Sequence, residues 1–534
     1  MPDAPPPPKR HLRGAVAVGV GIFLSRIAGL VRERVFAHYM GRSEAAGAFR
    51  AALRIPNILQ NLLGEGVLSA SFIPVYSRLR AQGRDADAER VARAVGTLLL
   101  LAASIVSLLG VVAAPLMVDL IVPGYSGETR ASTIRLVQIL FPGVALLVMS
   151  AWCLGVLNSH RRFFLSYVSP VLWNAALVAT AVVAARRLAD PAGFDMAIWL
   201  AWGAVIGSAL QFLVQFPSVI VLVRGVRPTL AVRDPDVRAT LRAFGPVFVG
   251  RGSVQLSSYL DQWLASYLGA ATVAAMAFVQ TLYTLPVSLF GMAVSAAELP
   301  EMSGATGDDD AVAAHLQRRL RVALRRVVFL VVPSAVAFVM IGGVIVGLLF
   351  QSGNFAASDT ASVWLILSGS AIGLSAGTQG RLLNSAFYAL RDTRTPLYAA
   401  LVRVGFTFGA GGAVVLLRHR FGYGPDGAAF GLTASAGIAA WIEFLLLDRW
   451  LGQRIGKVPI PTRLGLGALA LASVAGAVAA GAAWIVRHQL HHGPVPQAAV
   501  ALPIFAGIYL GGAALARVPE ADAFVGRLLR RRRR

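Results

Sequence analysis

Six of the nine charged side chains between Leu24 and Tyr76 stand out in text that otherwise reads as oil-soluble. Arg26, Arg32, Glu33, Arg50, Arg54 and Glu65 all lie in or beside apolar, helix-like runs. A charged side chain at a bilayer centre costs about 2.5–3.5 kcal/mol on insertion scales, so such groups face a protein interior or a water-filled cavity. Arginine is always charged and presents a fork of N–H donors that matches phosphate oxygens. Arginines around an intramembrane cavity therefore suit an anionic cargo. Other chemistry is missing from the text. It has no GxxxxGKS/T phosphate loop, which excludes an ATP motor in the same chain, and no GxSxG, HExxH or CxxC. His491 and His492 sit beside Gly493-Pro494 and read as loop, and Asp308-Asp309-Asp310 reads as a solvated loop rather than a metal cage. The expectation is a transporter, not an enzyme, with no cofactor or metal.

The elements that must hold these residues are membrane helices. Of 534 residues, 56% are hydrophobic and only 14% charged, against about 25% charged in soluble proteins. The 54 glycines suit close approach of helices in lipid. A net charge of +23 does not point to nucleic acid, because the arginines fall in short loops and form no basic domain. The lone Cys153 excludes an internal disulfide. The proline-rich start, through Arg13, reads as a cytoplasmic tail before an uncleaved first helix. At about 20 apolar residues per span, fourteen candidates appear: 14–34, 45–76, 94–122, 132–157, 163–185, 196–223, 240–268, 271–300, 322–350, 361–389, 395–417, 427–448, 464–487 and 497–516. The second holds Pro56 and Gly64 and is expected to bend or break, which lipid tolerates only beside a cavity.

Alternate loops carry the arginines. Arg78, Arg84 and Arg90 lie in one, Arg227, Arg233 and Arg238 in another, Arg391 and Arg394 in a third, whereas PGYSGE, LGAAT and QSGNFAASD have none; Arg186, Arg187, Arg418 and Arg420 are exceptions. The positive-inside rule then puts both termini in the cytoplasm. Arg530 to Arg534 read as a last inside anchor or as a surface for anionic membrane lipids.

From Ser25 to Tyr76 the chain resembles the MurJ (MviN) family of lipid II flippases, within the wider superfamily of multidrug, oligosaccharidyl-lipid and polysaccharide exporters. The shared text is Ser25-Arg26-Ile27 with Gly29 and Arg32, then Ala48-Phe49, Arg54-Ile55-Pro56-Asn57, Glu65-Gly66 and Phe72-Ile73-Pro74-Val75. LLFQSGNF (348–355) and FYALRDTRTP (387–396) are similar to later family segments. The resemblance implies an all-α polytopic protein of about fourteen transmembrane helices in a bacterial cytoplasmic (inner) membrane. Two six-helix lobes would alternate access around a central cationic cavity, and two C-terminal helices would form a groove for a lipid tail. Mapped onto the chain, that is a tail at 1–13, lobes at 14–223 and 224–452, the last helix pair at 453–516 and a basic tail at 517–534.

The implied cargo is lipid II, the undecaprenyl-pyrophosphate-linked disaccharide-pentapeptide of peptidoglycan and cell-wall biogenesis, carried by a monomer. Sodium, protons or the membrane potential would drive it. Arg26 and Arg32 correspond to first-span arginines and are the expected pyrophosphate ligands. Glu65 corresponds to an acidic second-span residue, with pairing to a cavity arginine or to a neighbouring helix both open. Arg54 is assigned to cargo or to the cytoplasmic face, and Pro56 and Asn57 to bending the helix. The chain departs from the family pattern at Gly47 (usually aspartate), at Gln60 (usually arginine) and at Gln280-Thr281 (usually an Asp-Arg pair before Leu-Pro). Gln60 and Thr281 thus stand where cavity cations are expected. Arg50, Arg251 and Arg403 are candidates to compensate, although Arg251 could equally snorkel to the interface. Asp261 is a candidate ion site, with helix-to-helix pairing as the alternative. The lost cations keep open a second cargo, another polyprenyl-pyrophosphate glycan such as an O-antigen or capsule unit, and a third reading as a non-transporting cell-wall scaffold. Trp152, Trp173, Trp199 and Trp202 read as packing or interface aromatics.

Overall fold

The computed structural model describes residues 9–225, 227–304, 308–489 and 493–521, with side chains described for all of these except 9–19, 59, 65, 246–258, 293, 296, 297, 300 and 309. Among the described residues the chain is helical and has no strand. It divides into two compact units, Met1–Ala274 and Ala275–Arg534.

The first unit contains α1 (Lys9–Met40), α2 (Glu44–Leu63), α3 (Glu65–Ala81), α4 (Asp85–Val112), α5 (Ala114–Ile121), α6 (Gly127–Ser159), α7 (Phe163–Ala185), α8 (Phe194–Leu222) and α9 (Pro235–Ser266). Ser43 starts α2 by accepting the Ala46 N–H at 3.1 Å, and Asp234 starts α9 by accepting those of Asp236 and Val237 at 2.9 and 3.3 Å. α6 runs through the middle of the unit and packs on α2, α4 and α8. Its Trp152 is fully buried, donates to the Ala92 carbonyl at 3.1 Å and fills the notch left by Gly96.

α10 (Ala270–Pro286) crosses from the first unit into the second. A π-helical stretch (Val287–Met292) follows it, then α11 (Ala293–Ser303), α12 (Asp309–Met340), α13 (Gly342–Phe350), α14 (Ala357–Ala371), α15 (Leu374–Ala389) and α16 (Arg394–Phe406). A second π stretch (Thr407–Gly411) leads into α17 (Gly412–Leu417), α18 (Pro425–Ile455), α19 (Thr462–His488) and α20 (Pro494–Leu515). Asp308 accepts the Ala311 N–H at 2.9 Å, so this member of the acidic triplet caps α12. Phe278, Phe350 and Phe355 form an aromatic core with ring centroids 5.0–6.0 Å apart, which explains the buried end of the LLFQSGNF segment. α19 and α20 pack on each other and α19 packs on α12, where Ala472, Ala475 and Ala513 allow a close approach and Tyr509 donates to the Phe329 carbonyl at 2.6 Å.

Among the described residues, eleven stretches are long and apolar enough to cross a membrane, twelve if the pair α14–α15, bent by 43°, counts as one span. Each expected span coincides with a helix or a run of helices, but the count of fourteen is not reached, because α1 and α9 stand outside it. α9 is too polar through its middle, with Arg251, Gln255, Ser257, Ser258 and Asp261.

The division after Ala274 leaves α9 with the first unit. α9 packs on α3, with further contacts to α2 and α4, and its first turn is tied by charge. Asp236 pairs with Arg78 at 3.1 Å and Arg84 at 3.3 Å, and Asp234 pairs with Arg90 at 3.2 Å. These pairs join two arginine-rich connections, α3–α4 and α8–α9. At the other end of the same unit the arginine-free connections meet, where the Gly124 N–H donates to Ser266 Oγ at 3.1 Å. These contacts thus lie at opposite ends of α9.

Candidate functional site

The charged positions of α1 and α2 converge on one buried carboxylate. Glu33 is 3% exposed and lies between two guanidinium groups. Arg50 grips it through both Nη atoms at 3.0 and 2.5 Å, and Arg32 Nη2 donates to it at 2.5 Å. A buried ion needs such partners, because an unpaired charge in this environment is costly. The rings of Phe36 and Trp173 flank the cations. Arg50 lies 5.4 Å from the Phe36 centroid, and Arg32 lies 5.8 Å from Phe36 and 5.1 Å from Trp173. The triad therefore carries a net single positive charge held in place by aromatic faces.

Arg32 is the member that reaches open space. It lines a cavity of about 710 Å³ inside the first unit, bounded by α1, α2, α3, α6, α7 and α8. One of its five N–H donors, on Nη2, goes to Glu33 and its side chain is 19% exposed, so donors remain for an incoming anion. Among the described residues lining the cavity, Arg32 is the one formally charged side chain; the other polar walls are amides (Asn57, Gln60, Asn61, Gln211) and serine hydroxyls. Gln215, fully buried behind this wall, ties Ser150 of α6 and Ser169 of α7 to α8 at 2.7 and 2.8 Å, and Gln211 also donates to Ser150 at 3.1 Å.

The second span breaks at this cavity. α2 continues through Pro56 and ends at Gly64, which lines the cavity and has φ −91° and ψ −148°. A Cβ at Gly64 would collide with the Gln60 carbonyl oxygen, so the break needs glycine. No side chain caps the following helix, α3. A membrane-spanning helix can be interrupted in this way where its freed backbone groups line a polar cavity.

The other expected residues are distributed differently. Arg26 is exposed on α1, six residues before Arg32 and on another face of the helix. Arg54 lies 4.9 Å from the Tyr259 ring, whose hydroxyl donates to the Arg54 carbonyl at 3.3 Å. The side chains of Glu65 and Arg251 lie outside those described, as do His491, His492 and Arg530 to Arg534. Asp261 is half-buried in α9. In the second unit, Thr281 donates to the Ala277 carbonyl at 3.0 Å, Gln280 is exposed, and Arg403 pairs with Glu443 at 3.0 Å. Of the three candidates to compensate for lost cations, Arg50 joins the Arg32 cluster and Arg403 forms a separate pair. Among the described residues no cluster of side chains could hold a metal ion.

Two sequence peculiarities acquire physical reasons. Gly47 stands where the backbone of Ala270 presses on α2, leaving no room for even a Cβ, let alone a carboxylate. In the segment 387–396, Arg391 has φ 57° and Asp392 accepts N–H bonds from Arg394 and Thr395 at 2.9 and 3.0 Å and the Thr395 hydroxyl at 2.6 Å. Led by that hydroxyl, these bonds hold the Asp392 carboxyl below its ordinary value, with Arg454 adding attraction at 2.9 Å. The motif is a turn between α15 and α16.

Sequence reasoning placed Gln60 at a cavity but missed the other neutral groups of its walls. Trp173, read as a packing aromatic, carries Arg32 on its face, and Ser150, Ser169 and Gln211 gave no local signal. Polar residues spaced through apolar helices were the available clue.

The second unit holds a different hollow. An apolar groove of about 740 Å³ runs between α12, α18 and α19, lined by Val332, Val336, Met340, Phe444, Leu466 and Leu469.

Comparison with known proteins agrees with these features. The family model described as lipid II flippase MurJ matches residues 36–502. A lipid II flippase MurJ of Burkholderia cenocepacia is 30% identical over 514 residues, covering 93% of this chain and 96% of that protein. A probable lipid II flippase MurJ of Rhizobium meliloti is 30% identical over 482 residues, covering 88% of this chain and 86% of its own length. Among solved structures, a lipid II flippase MurJ in an inward closed conformation superposes with a TM-score of 0.74 at 21% identity, covering 96% of this chain and all of the other. A multidrug transporter of the MATE family in an inward-facing conformation reaches 0.62 at 17% identity, covering 83% and 98%. These two share the fold. The match over most of the length, together with the breadth of the sequence relationship, leads to one conclusion: this chain belongs to the MurJ family of lipid II flippases.

Proposed function

We propose that this protein is a multi-pass flippase that carries lipid II across the bacterial inner membrane. The single observation that carries the reading is Arg32. It is a guanidinium with unused donors, set on Trp173 and braced by Glu33 and Arg50, at the edge of a polar cavity inside a membrane bundle. A pyrophosphate arriving there meets a cation already oriented, so little ordering remains to be done on binding. Glu33 keeps Arg32 and Arg50 from repelling each other when no cargo is present. The apolar groove along α12 and α19 suits a polyprenyl tail, which is insoluble in the polar cavity and needs no polar contact. Both termini are assigned to the cytoplasm, supported by the meeting of the arginine-rich loops at one end of the first unit. The protein acts by binding and conformational change, with alternating access of its two lobes driven by the membrane potential or a coupled cation, for which Asp261 is the candidate carboxylate.

The test is complementation. Cells depleted of their own flippase would express this chain, and lipid II in the outer leaflet would be scored with a toxin that cleaves only the exposed lipid. Cleavage with growth is the expected result. Normal membrane levels of protein with no cleavage would move the cargo to another polyprenyl-linked glycan.

A further inference from the structure

We infer that the groove of the second unit is a site for a neutral lipid alcohol, whose hydroxyl docks between Ser375 and Gln379 while its chain lies along the apolar walls. The site stands on its own residues and does not need the lipid II reading.

Polar groups buried in the wall identify the occupant. Ser375 and Gln379 both line the groove and are 8% and 3% exposed. They stand one turn apart on α15, where Gln379 Nε2 donates to Ser375 Oγ at 3.0 Å and to the Ser375 carbonyl at 3.3 Å. Those two acceptors fix the amide, because turning it round would set its oxygen against the carbonyl oxygen. Two capacities then stay unused among the described residues. Gln379 Oε1 is buried and accepts no hydrogen bond, and the Ser375 hydroxyl, already an acceptor, has no acceptor for its own proton. An unmatched polar group is costly in such a wall, and a free acceptor beside a free donor is the complement of a hydroxyl. A hydroxyl donates to Gln379 Oε1 and accepts from Ser375 at once, whereas a hydrocarbon segment leaves both unmatched.

The other walls select the rest of the molecule. None of the described residues lining the groove carries a formal charge, so charge complementarity favours a neutral head. Val336 and Met340 of α12, Phe444 of α18 and Leu469 of α19 supply apolar surface. Leu445, Leu466 and Leu469 are also exposed, so the groove opens sideways, where a lipid enters from the bilayer. Its volume of about 740 Å³ is that of a small-ligand site. The polar pair reaches this wall because the α14–α15 span bends by 43° and α15 begins afresh at Leu374, which puts Ser375 in a first turn that no side chain caps.

The experiment titrates the purified full-length protein with oleyl alcohol and with its methyl ether, and counts bound lipid by native mass spectrometry. The ether keeps the chain and an acceptor but has no proton to donate. The parent is expected to hold the alcohol about tenfold more tightly, since the ether leaves a buried acceptor unmatched. Gln379→Leu, similar in size, removes that acceptor and should bind both lipids alike, with its melting temperature recorded to show an intact bundle. Ser375→Ala removes the donor instead, and should weaken both lipids several-fold while keeping the preference for the alcohol; it carries the test if Gln379→Leu does not fold. Equal affinity of the parent for both lipids would overturn the site and give the polar pair to a buried water. A preference that survives in Gln379→Leu, unchanged binding in Ser375→Ala, or a parent that binds neither lipid would overturn it as well. Each of these failures leaves lipid II transport, scored by the toxin, untouched.

Discussion

The two units make hollows of similar size from the same helical material and give them opposite chemistry. Among the described residues, the cavity of about 710 Å³ in the first unit is lined by amides, serines and one arginine beside Leu53, Leu147, Leu154 and Trp173, and the groove of about 740 Å³ in the second mainly by apolar side chains, with Ser375, Gln379, Thr462 and Ser473 among them. Their ion pairs differ as well. Arg50 and Glu33 are 12% and 4% exposed at the side chain, whereas Arg403 of the Arg403–Glu443 pair is 45% exposed. A cargo with a charged, hydrated head and a long hydrocarbon tail requires both environments at once. The comparison teaches that the charge beside the polar cavity is buried and braced, whereas the groove of the second unit offers a mostly apolar wall.

The comparison breaks most directly at Arg32. Arg32→Ala removes the one charged side chain among the described residues that line the polar cavity. Losing one member of a buried, hydrogen-bonded charge pair costs about 2–5 kcal/mol, so outer-leaflet lipid II should fall about 30-fold or more in the toxin-cleavage test. Glu33→Gln leaves two guanidinium groups facing a neutral amide, and breaking a buried pair costs about 3–5 kcal/mol. The apparent melting temperature in detergent should drop sharply. Arg403→Ala at the more exposed pair should cost about 1 kcal/mol or less. Equal drops in the two variants would sink the contrast between the pairs.

Gly47→Asp sharpens the comparison from the packing side. Restoring the usual family carboxylate forces a side chain into the Ala270 backbone, at a cost of about 1–3 kcal/mol typical of overpacking. The expectation is a lower melting temperature and no gain in transport. Leu469→Trp fills part of the apolar groove. Transport of a long-tailed substrate should fall several-fold, while a short-chain polyprenyl analogue is carried as before; equal loss for both tails would show that the groove does not hold the tail. The smallest effect is expected at Asp392. Asp392→Ala removes a cap-like turn worth about 1 kcal/mol. Because its folded carboxyl titrates below the ordinary value near 3.8, that contribution is present above this value and is lost as pH falls through the lower, folded value. Melting temperatures of parent and variant should therefore differ by a constant amount from pH 5 to 8 and converge only in stronger acid.

Much of the architecture was legible without coordinates. Hydropathy located every helix or helix run, because each apolar stretch must satisfy its own backbone hydrogen bonds in lipid. The alternating arginine loops anticipated the segregation seen where Arg78, Arg84 and Arg90 meet Asp234 and Asp236. Charges in an apolar run singled out Arg32, which the structure places on the cavity wall. Composition likewise dictated the class of protein, since a chain with 14% charged residues and apolar runs of this length has no other stable solvent.

Only the tertiary structure decided which charges share a site. Arg26 and Arg32 look equivalent in the text, yet six residues of helix turn them to different faces, and Arg32 alone of the two lines the cavity. Arg50 and Glu33, seventeen positions apart, meet across the turn that joins α1 to α2. Gly47 looked like a lost carboxylate until the Ala270 backbone was found against it. The neutral cavity wall was invisible for the same reason. Ser150, Ser169 and Gln215 lie on three helices, and a hydrogen bond between residues so far apart in sequence is a property of packing, not of any local run of residues.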